Sequence, residues 1–267
     1  MKAYGAIFRI RFQNSLQYRM AALAGMATQY AWGFMLILSY SAFYRADPAA
    51  FPMPFSQAVS YIWMQQSFYS LFAAYFFDAD IFEAITSGSI AYELARPVSL
   101  YGRWFTQSMA VRSSRAALRC LPILLTAFLL PEPYRMVLPQ SMAQLTLFLL
   151  SMALAASVVV AFNMLIYISA FYTLSAAGVR MIAAMVADFL AGAIIPLPFF
   201  PKAVERVVSL LPFAAMQNMP LRIYSGNIAG QDALLGIGLQ IFWLLALVGT
   251  GRIFIKKALN KVVVQGG

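Results

Sequence analysis

The chain has 267 residues, of which 62% are hydrophobic and only 10% charged. Soluble domains carry about 25% charged residues, so this chain cannot cover a water-facing surface and lipid must solvate much of it. The balance is basic, net +10, with no histidine, which removes the commonest general base and the commonest metal ligand.

Only helices and closed barrels span a bilayer. The apolar runs here are long and continuous rather than alternating, which excludes a barrel. The class is therefore an all-α integral membrane protein. Its single cysteine, Cys120, lies in an apolar run; it can form no intramolecular disulfide and reads as a small buried hydrophobe.

The N-terminal "MKAYGAIFRIRFQNSLQYR" does not read as a signal peptide. Its bases spread to Arg19 and the apolar run that follows is too long for an h-region, so the segment is expected to be retained. Tyr4, Phe8, Phe12 and Leu16 recur every four residues, with Arg9, Gln13 and Gln17 opposite. This pattern predicts an interfacial helix over residues 4–19, on the inner leaflet; Arg11, on its flank, spoils the pattern.

About 20 apolar residues cross the hydrocarbon. Uncharged or nearly uncharged runs predict six spans, over residues 20–44, 57–77, 111–130, 143–173, 179–196 and 233–251. Six spans put both termini on one side. Counted loop by loop, fourteen basic residues fall on that side and five on the other. The positive-inside rule makes the basic side cytoplasmic. The net charge is then an orientation and lipid-surface signal, not a nucleic-acid footprint.

Charges inside the membrane are functional signals. Arg112, Arg115 and Arg119 are spaced three and four apart, so they share one face in the inner half of the third span. Arg119 and Asp188 of the fifth span reach about the same depth, roughly 12–13 Å from the inner edge. They are expected to pair. Two other readings stay open: arginines that snorkel to headgroups or face a partner chain, and a cation-lined inner vestibule for an anionic or amphiphilic substrate. Ala183, Ala187 and Ala191 form a small-residue stripe that permits close helix contact. Asn163 is expected to make an interhelical hydrogen bond.

The stretch "IIPLPFFPKAVERVVSLLPFAAMQNMPLRIYSGN" is broken by Pro196, Pro198, Pro201, Pro212 and Pro220. Its pieces are too short to cross, and residues 207–221 carry no charge. Two short re-entrant helices on the outer side, within residues 196–230, are the expectation.

Catalytic signatures are missing. No Gly-Lys pair exists, so there is no phosphate loop of the Walker type, and H-E-x-x-H is absent. An aspartyl intramembrane protease needs paired acids, and the spans hold only Asp188. The fifteen methionines are scattered and read as packing.

A basic interfacial helix, an acidic cytoplasmic segment, "SGSIAYELARPVSLY" at residues 87–101, the Pro-rich stretch and a basic tail together resemble the membrane permease of type-2 ABC (ATP-binding-cassette) exporters. The "GSIAYELARPVS" at residues 88–99 looks like the bacterial antibiotic or daunorubicin-type branch. The resemblance covers nearly the whole chain as one transmembrane permease domain, residues 1–267. It implies a non-catalytic subunit of the bacterial cytoplasmic membrane. Such a subunit exports an amphiphile (drug, lipid-like molecule or peptide) and binds no cofactor itself. ATP and magnesium would sit on two copies of a separate ATPase, and a second permease, identical or related, would complete the pathway in the bilayer.

The resemblance also implies a coupling helix in the first cytoplasmic loop, residues 78–104, that docks on the ATPase. Here Ile81, Phe82 and Ile85 would form its apolar face and Asp78, Asp80 and Glu83 its charged rim. Gly88 would end it, and Pro97 would force the chain back toward the third span. Pro196, Pro198, Phe199, Phe200 and Pro201 would form an outer gate. The rival reading is an ATP-independent secondary transporter or channel with Asp188 as its coupling acid. A non-transporting assembly or immunity subunit of the same fold is the third.

Overall fold

The computed structural model describes residues 2–173 and 176–260, and every regular element among them is helical. In chain order the α-helices are α1 Lys2–Ser15, α2 Arg19–Ala46, α3 Phe55–Ser67, α4 Tyr69–Phe72, α5 Ala79–Thr86, α6 Ile90–Leu94, α7 Leu100–Leu129, α8 Met142–Ser169, α9 Ala176–Leu190, α10 Lys202–Ser209, α11 Asn218–Tyr224 and α12 Gly230–Leu259. A 3₁₀ turn, Leu197–Phe199, lies between α9 and α10.

Three helices are long and apolar enough to cross a membrane: Arg19–Ala46, Met142–Ser169 and Gly230–Leu259. At 1.5 Å per residue, the 28 residues of α2 reach about 42 Å. The sequence expectation differs from the structure at three places. The run over 57–77 is not one helix: it breaks at Phe68 and leaves helical geometry after Phe72. The third apolar helix begins at Leu100 rather than near Val111, because Ser99 caps it by accepting the Gly102 N–H at 3.2 Å. The run over 179–196 is helical only to Leu190, and Gly192, at φ +78°, turns the chain out of the helix.

The largest core joins α2, α3, α7, α8, α11 and α12 around Trp63, Tyr61, Phe148 and Ile123, all nearly inaccessible. Trp63 donates to the Tyr134 carbonyl at 3.0 Å. Gly33 lets α2 approach this ring, since a Cβ there would meet it at 3.0 Å. Between α8 and α12 the apolar packing carries one polar clamp. Ser151 donates to Gln240 Oε1 at 2.9 Å, and Gln240 Nε2 donates to the carbonyls of Ser151 and Ala215 at 3.1 and 2.9 Å.

α1 lies along α7. The Tyr4 hydroxyl sits 3.0 Å from Ser99 Oγ and accepts the Ser99 N–H at 3.3 Å. Arg11, which broke the apolar stripe, is half-buried and pairs with Asp80 at 3.2 Å. The misfit in the pattern is thus an ion pair to α5.

Gln240→Leu removes the clamp and leaves two buried carbonyls and the Ser151 hydroxyl without their partner. Intramembrane hydrogen bonds contribute roughly 0.6–2 kcal/mol each, so a lowered midpoint of thermal unfolding in detergent is expected. An unchanged midpoint would mean that apolar packing alone holds α8 to α12.

Candidate functional site

Polar side chains of α7, α8 and α9 converge on one short segment. After α4 the chain runs without helical geometry through residues 73–77 before Asp78 caps α5. Apart from the Ala73 and Phe76 N–H groups, bonded to the Tyr69 and Ala73 carbonyls, the backbone groups there have no helical partner and must be satisfied from outside. α7 does most of this through Arg112, which is 3% exposed. Its Nη1 donates to the carbonyls of Ser70, Leu71 and Ala73 at 3.4, 3.2 and 2.9 Å, and its Nη2 to Phe76 at 2.8 Å. A cation at the end of a helix also meets the negative end of the peptide dipoles. Arg112 lies twelve residues into α7, about 18 Å along it.

α8 and α9 complete the arrangement. Asn163 Nδ2 donates to the Phe76 carbonyl at 3.2 Å, and Asp188 Oδ1 accepts the Ala74 N–H at 3.0 Å. The Tyr167 hydroxyl accepts the Asp78 N–H at 2.6 Å, and Gln107 donates to Asp78 Oδ2 at 2.6 Å. Arg115 places its guanidinium 5.2 Å from the Phe76 ring. Ala184, Ala187 and Ala191 are buried and let α9 lie close against α8.

The expected Arg119–Asp188 pair does not form. Arg119 faces α2, where its Nη2 donates to the Ala21 carbonyl at 3.4 Å. A Cβ on Gly25 would come within 2.5 Å of its guanidinium, so a larger residue there would make the Arg119 side chain move. Asp188 instead accepts the Ala74 N–H. The depth match counted from Val111 failed because depth does not say which way a side chain points. None of the three arginines lines either of the two cavities that reach Asp188.

Those two cavities share Tyr75, Met185 and Asp188. The lower, about 560 Å³, also has Arg180; the upper, about 710 Å³, lies between α2, α3, α4 and α9.

The acidic helix α5 is where the sequence placed it, but its apolar face turns inward. Ile81 and Phe82 are 2% and 9% exposed. Phe82 packs on Tyr167 at 4.9 Å between ring centres, and Arg180 lies 5.4 Å over Phe82. Ile81 and Phe82 therefore cover the protein's own core and are not a free docking face, and Ile85 is half-buried beside them. Asp80 and Glu83 are exposed. Gly88, at φ +76°, follows the end of α5. α6 is pinned by Glu93, which pairs with Arg103 at 2.7 Å and accepts from Trp104 Nε1 at 3.4 Å. What this loop presents outward is Tyr92, 80% exposed, and Leu94.

At the opposite end, the residues of the expected gate are packed. Phe199 stacks on Tyr40 at 4.8 Å and meets Phe51 edge-on at 4.9 Å, and Phe200 lies 5.5 Å from Phe189. Pro196 is buried, Pro198 half-buried, and Pro201 caps α10. α10 is tied to α11 by Glu205–Arg222 at 3.3 Å. α11 is held by Gln144, which donates to the carbonyls of Ile223 and Tyr224 at 2.9 Å.

Sequence reasoning did not single out Gln107, Tyr167, Arg180 or the Gln65–Gln66 pair. The two glutamines were a readable signal, being adjacent amides in an uncharged apolar run.

A profile of ABC-2 family transporter proteins matches residues 30–266. The chain belongs to the ABC-2 transporter family. The match begins inside α2 and includes the residue 73–77 segment, the lower cavity, all of the upper cavity's lining but Thr28 and Gln29, and α5–α6. It identifies the family and not the antibiotic or daunorubicin branch. No curated protein matches the sequence. The chain is thus a helical membrane component of the ABC-2 type, a family whose transporters work with an ATPase partner.

Arg112→Lys keeps the charge but cannot reach four carbonyls with one fork. Hydrogen bonds from a charged group are worth about 1.5–3 kcal/mol each, so a clear fall in detergent thermal stability is expected. Arg115→Lys, which gives up only a ring contact, is expected to change it little. Equal midpoints for the two variants would remove Arg112 from this role.

Proposed function

We propose that this ABC-2 family chain is the permease subunit of an ATP-driven exporter for amphiphilic molecules in a bacterial cytoplasmic membrane. Its six spans are α2, α3 with α4, α7, α8, α9 and α12, with both termini cytoplasmic and α1 on the inner surface. Residues 196–230 dip into the outer leaflet and close the exit. Six spans do not enclose a pathway, so two permeases, identical or related, work together. ATP and magnesium are bound by two ATPase subunits and not by this chain.

One observation carries the reading: the cytoplasmic α5–α6 loop is joined by the residue 73–77 segment to the side chains at the Asp188 cavities. A loop built only as a connector has no need of a buried ion pair and a tyrosine hydroxyl to hold it to the spans. The ATPase docks on the outward side of this loop, on Tyr92 and Leu94 with Glu83 at the rim, because Ile81 and Phe82 are already covered.

The chain, tagged and extracted in detergent from its native membrane, is expected to bring down a soluble ATPase. Tyr92→Ala with Leu94→Ser is expected to lose that ATPase while keeping its thermal midpoint. Phe82→Ala is expected to lower the midpoint instead. A wild-type chain that purifies with no ATPase would favour the ATP-independent transporter built on Asp188.

A further inference from the structure

The upper cavity has a chemical character of its own. Its volume, about 710 Å³, suits a drug-sized molecule. Its walls are mostly apolar and aromatic, with Trp32, Tyr69, Tyr75 and Phe189 among them. Its polar lining comprises the Thr28, Tyr69 and Tyr75 hydroxyls, the Gln29, Gln65 and Gln66 amides and Asp188, and three of these groups present acceptors without a partner. Gln29 is 4% exposed and its Oε1 is buried with no hydrogen-bond partner. Gln65 is 2% exposed and uses its N–H on the Ala193 carbonyl at 2.8 Å, so its own carbonyl oxygen is the group left for a ligand. Asp188 uses Oδ1 on the Ala74 N–H and adds the only ionisable carboxylate of the lining.

No basic residue lines this cavity. Arg112 lies within electrostatic reach of Asp188, beyond ion-pair distance, and spends its N–H groups on four carbonyls; Arg180 shares the lower cavity with Asp188 and lies over the Phe77 and Phe82 rings. An apolar chamber holding one acid, unpaired amide acceptors and aromatic faces is complementary to an organic cation with an apolar body. The rim is apolar and open, with Trp32, Met185, Phe189 and Ile194 all exposed, which suits a ligand that arrives from the bilayer.

We propose that the upper cavity is a binding site for cationic amphiphiles, hydrophobic ammonium or phosphonium ions, with Asp188 as the anionic anchor and the Gln29 and Gln65 carbonyls receiving polar hydrogens of the ligand head. This rests on the permease reading only in naming the ligand as cargo. The cation can be a free molecule or the ammonium of a lipid headgroup.

The test is equilibrium binding to the full chain in dodecyl maltoside, whose headgroup is uncharged. Tetraphenylphosphonium is compared with its uncharged analogue triphenylphosphine oxide. Saturable binding of the cation is expected, with the oxide weaker by about tenfold or more, a difference of about 1.4 kcal/mol. Asp188→Asn is expected to erase that preference, leaving the oxide unchanged. Trp32→Ala, at the exposed rim, is expected to weaken both probes and serves if Asp188→Asn does not fold. Phosphatidylethanolamine added to the micelle separates the sources: displacement assigns the site to a lipid ammonium, and persistence of binding assigns it to a free cation. Equal affinity for the two probes in the wild type overturns the proposal. So does undiminished preference in a folded Asp188→Asn, or a cavity closed to both probes by a second copy of the chain. No ATPase enters the measurement. Cation preference without ATPase capture would therefore defeat the export reading alone, and ATPase capture without preference would defeat this one.

Discussion

The buried guanidinium of Arg112 is the constraint around which the rest of the structure is arranged. A helix that ends inside the protein leaves several carbonyls without their helical partners, and in a low-dielectric setting each is costly. One planar donor group satisfies four of them. The cation in turn has no paired carboxylate within ion-pair distance, so it depends on those carbonyls as much as they depend on it. Neither half is stable without the other. That reciprocity keeps the residue 73–77 segment open between α4 and α5 rather than letting it continue as helix.

Once that segment is open, its remaining backbone groups become attachment points. Asn163 and Asp188 take two of them from α8 and α9, and Tyr167 takes the first N–H beyond. Three long elements that otherwise touch by apolar packing are thereby registered on one strand of backbone. The same strand enters α5, whose inward face packs against Tyr167 and Trp104. Asp188 also forms part of the wall of both cavities. In the proposed permease, a push on the α5–α6 loop therefore reaches the cavity wall through hydrogen bonds, not through diffuse packing.

Much of this was readable beforehand and some of it could not be. Low charge and long apolar runs suffice for a helical membrane protein, and α2, α8 and α12 follow the sequence pattern to within a few residues at their starts. The break after Phe72 carries no proline or glycine, so nothing local announces it. The target of Arg112 is backbone, which has no sequence identity. The apolar face of α5 was legible as apolar, but periodicity does not say what covers it, and the covering residues, Tyr167 and Arg180, lie far along the chain. Arg11 read as a flaw in an amphipathic helix because Asp80 belongs to another element. In each case the sequence displays the group and hides the partner.

The most direct measurement is a distance. Spin labels at Ser87 in the loop and Ala193 at the cavity, in a Cys120→Ser background, would be followed by pulsed electron paramagnetic resonance in the complex with its ATPase. A mechanical connection predicts that ATP shifts this distance distribution in the otherwise unaltered protein and that Arg112→Lys reduces the shift. A distribution that ignores ATP, or that shifts equally with and without Arg112, would contradict it.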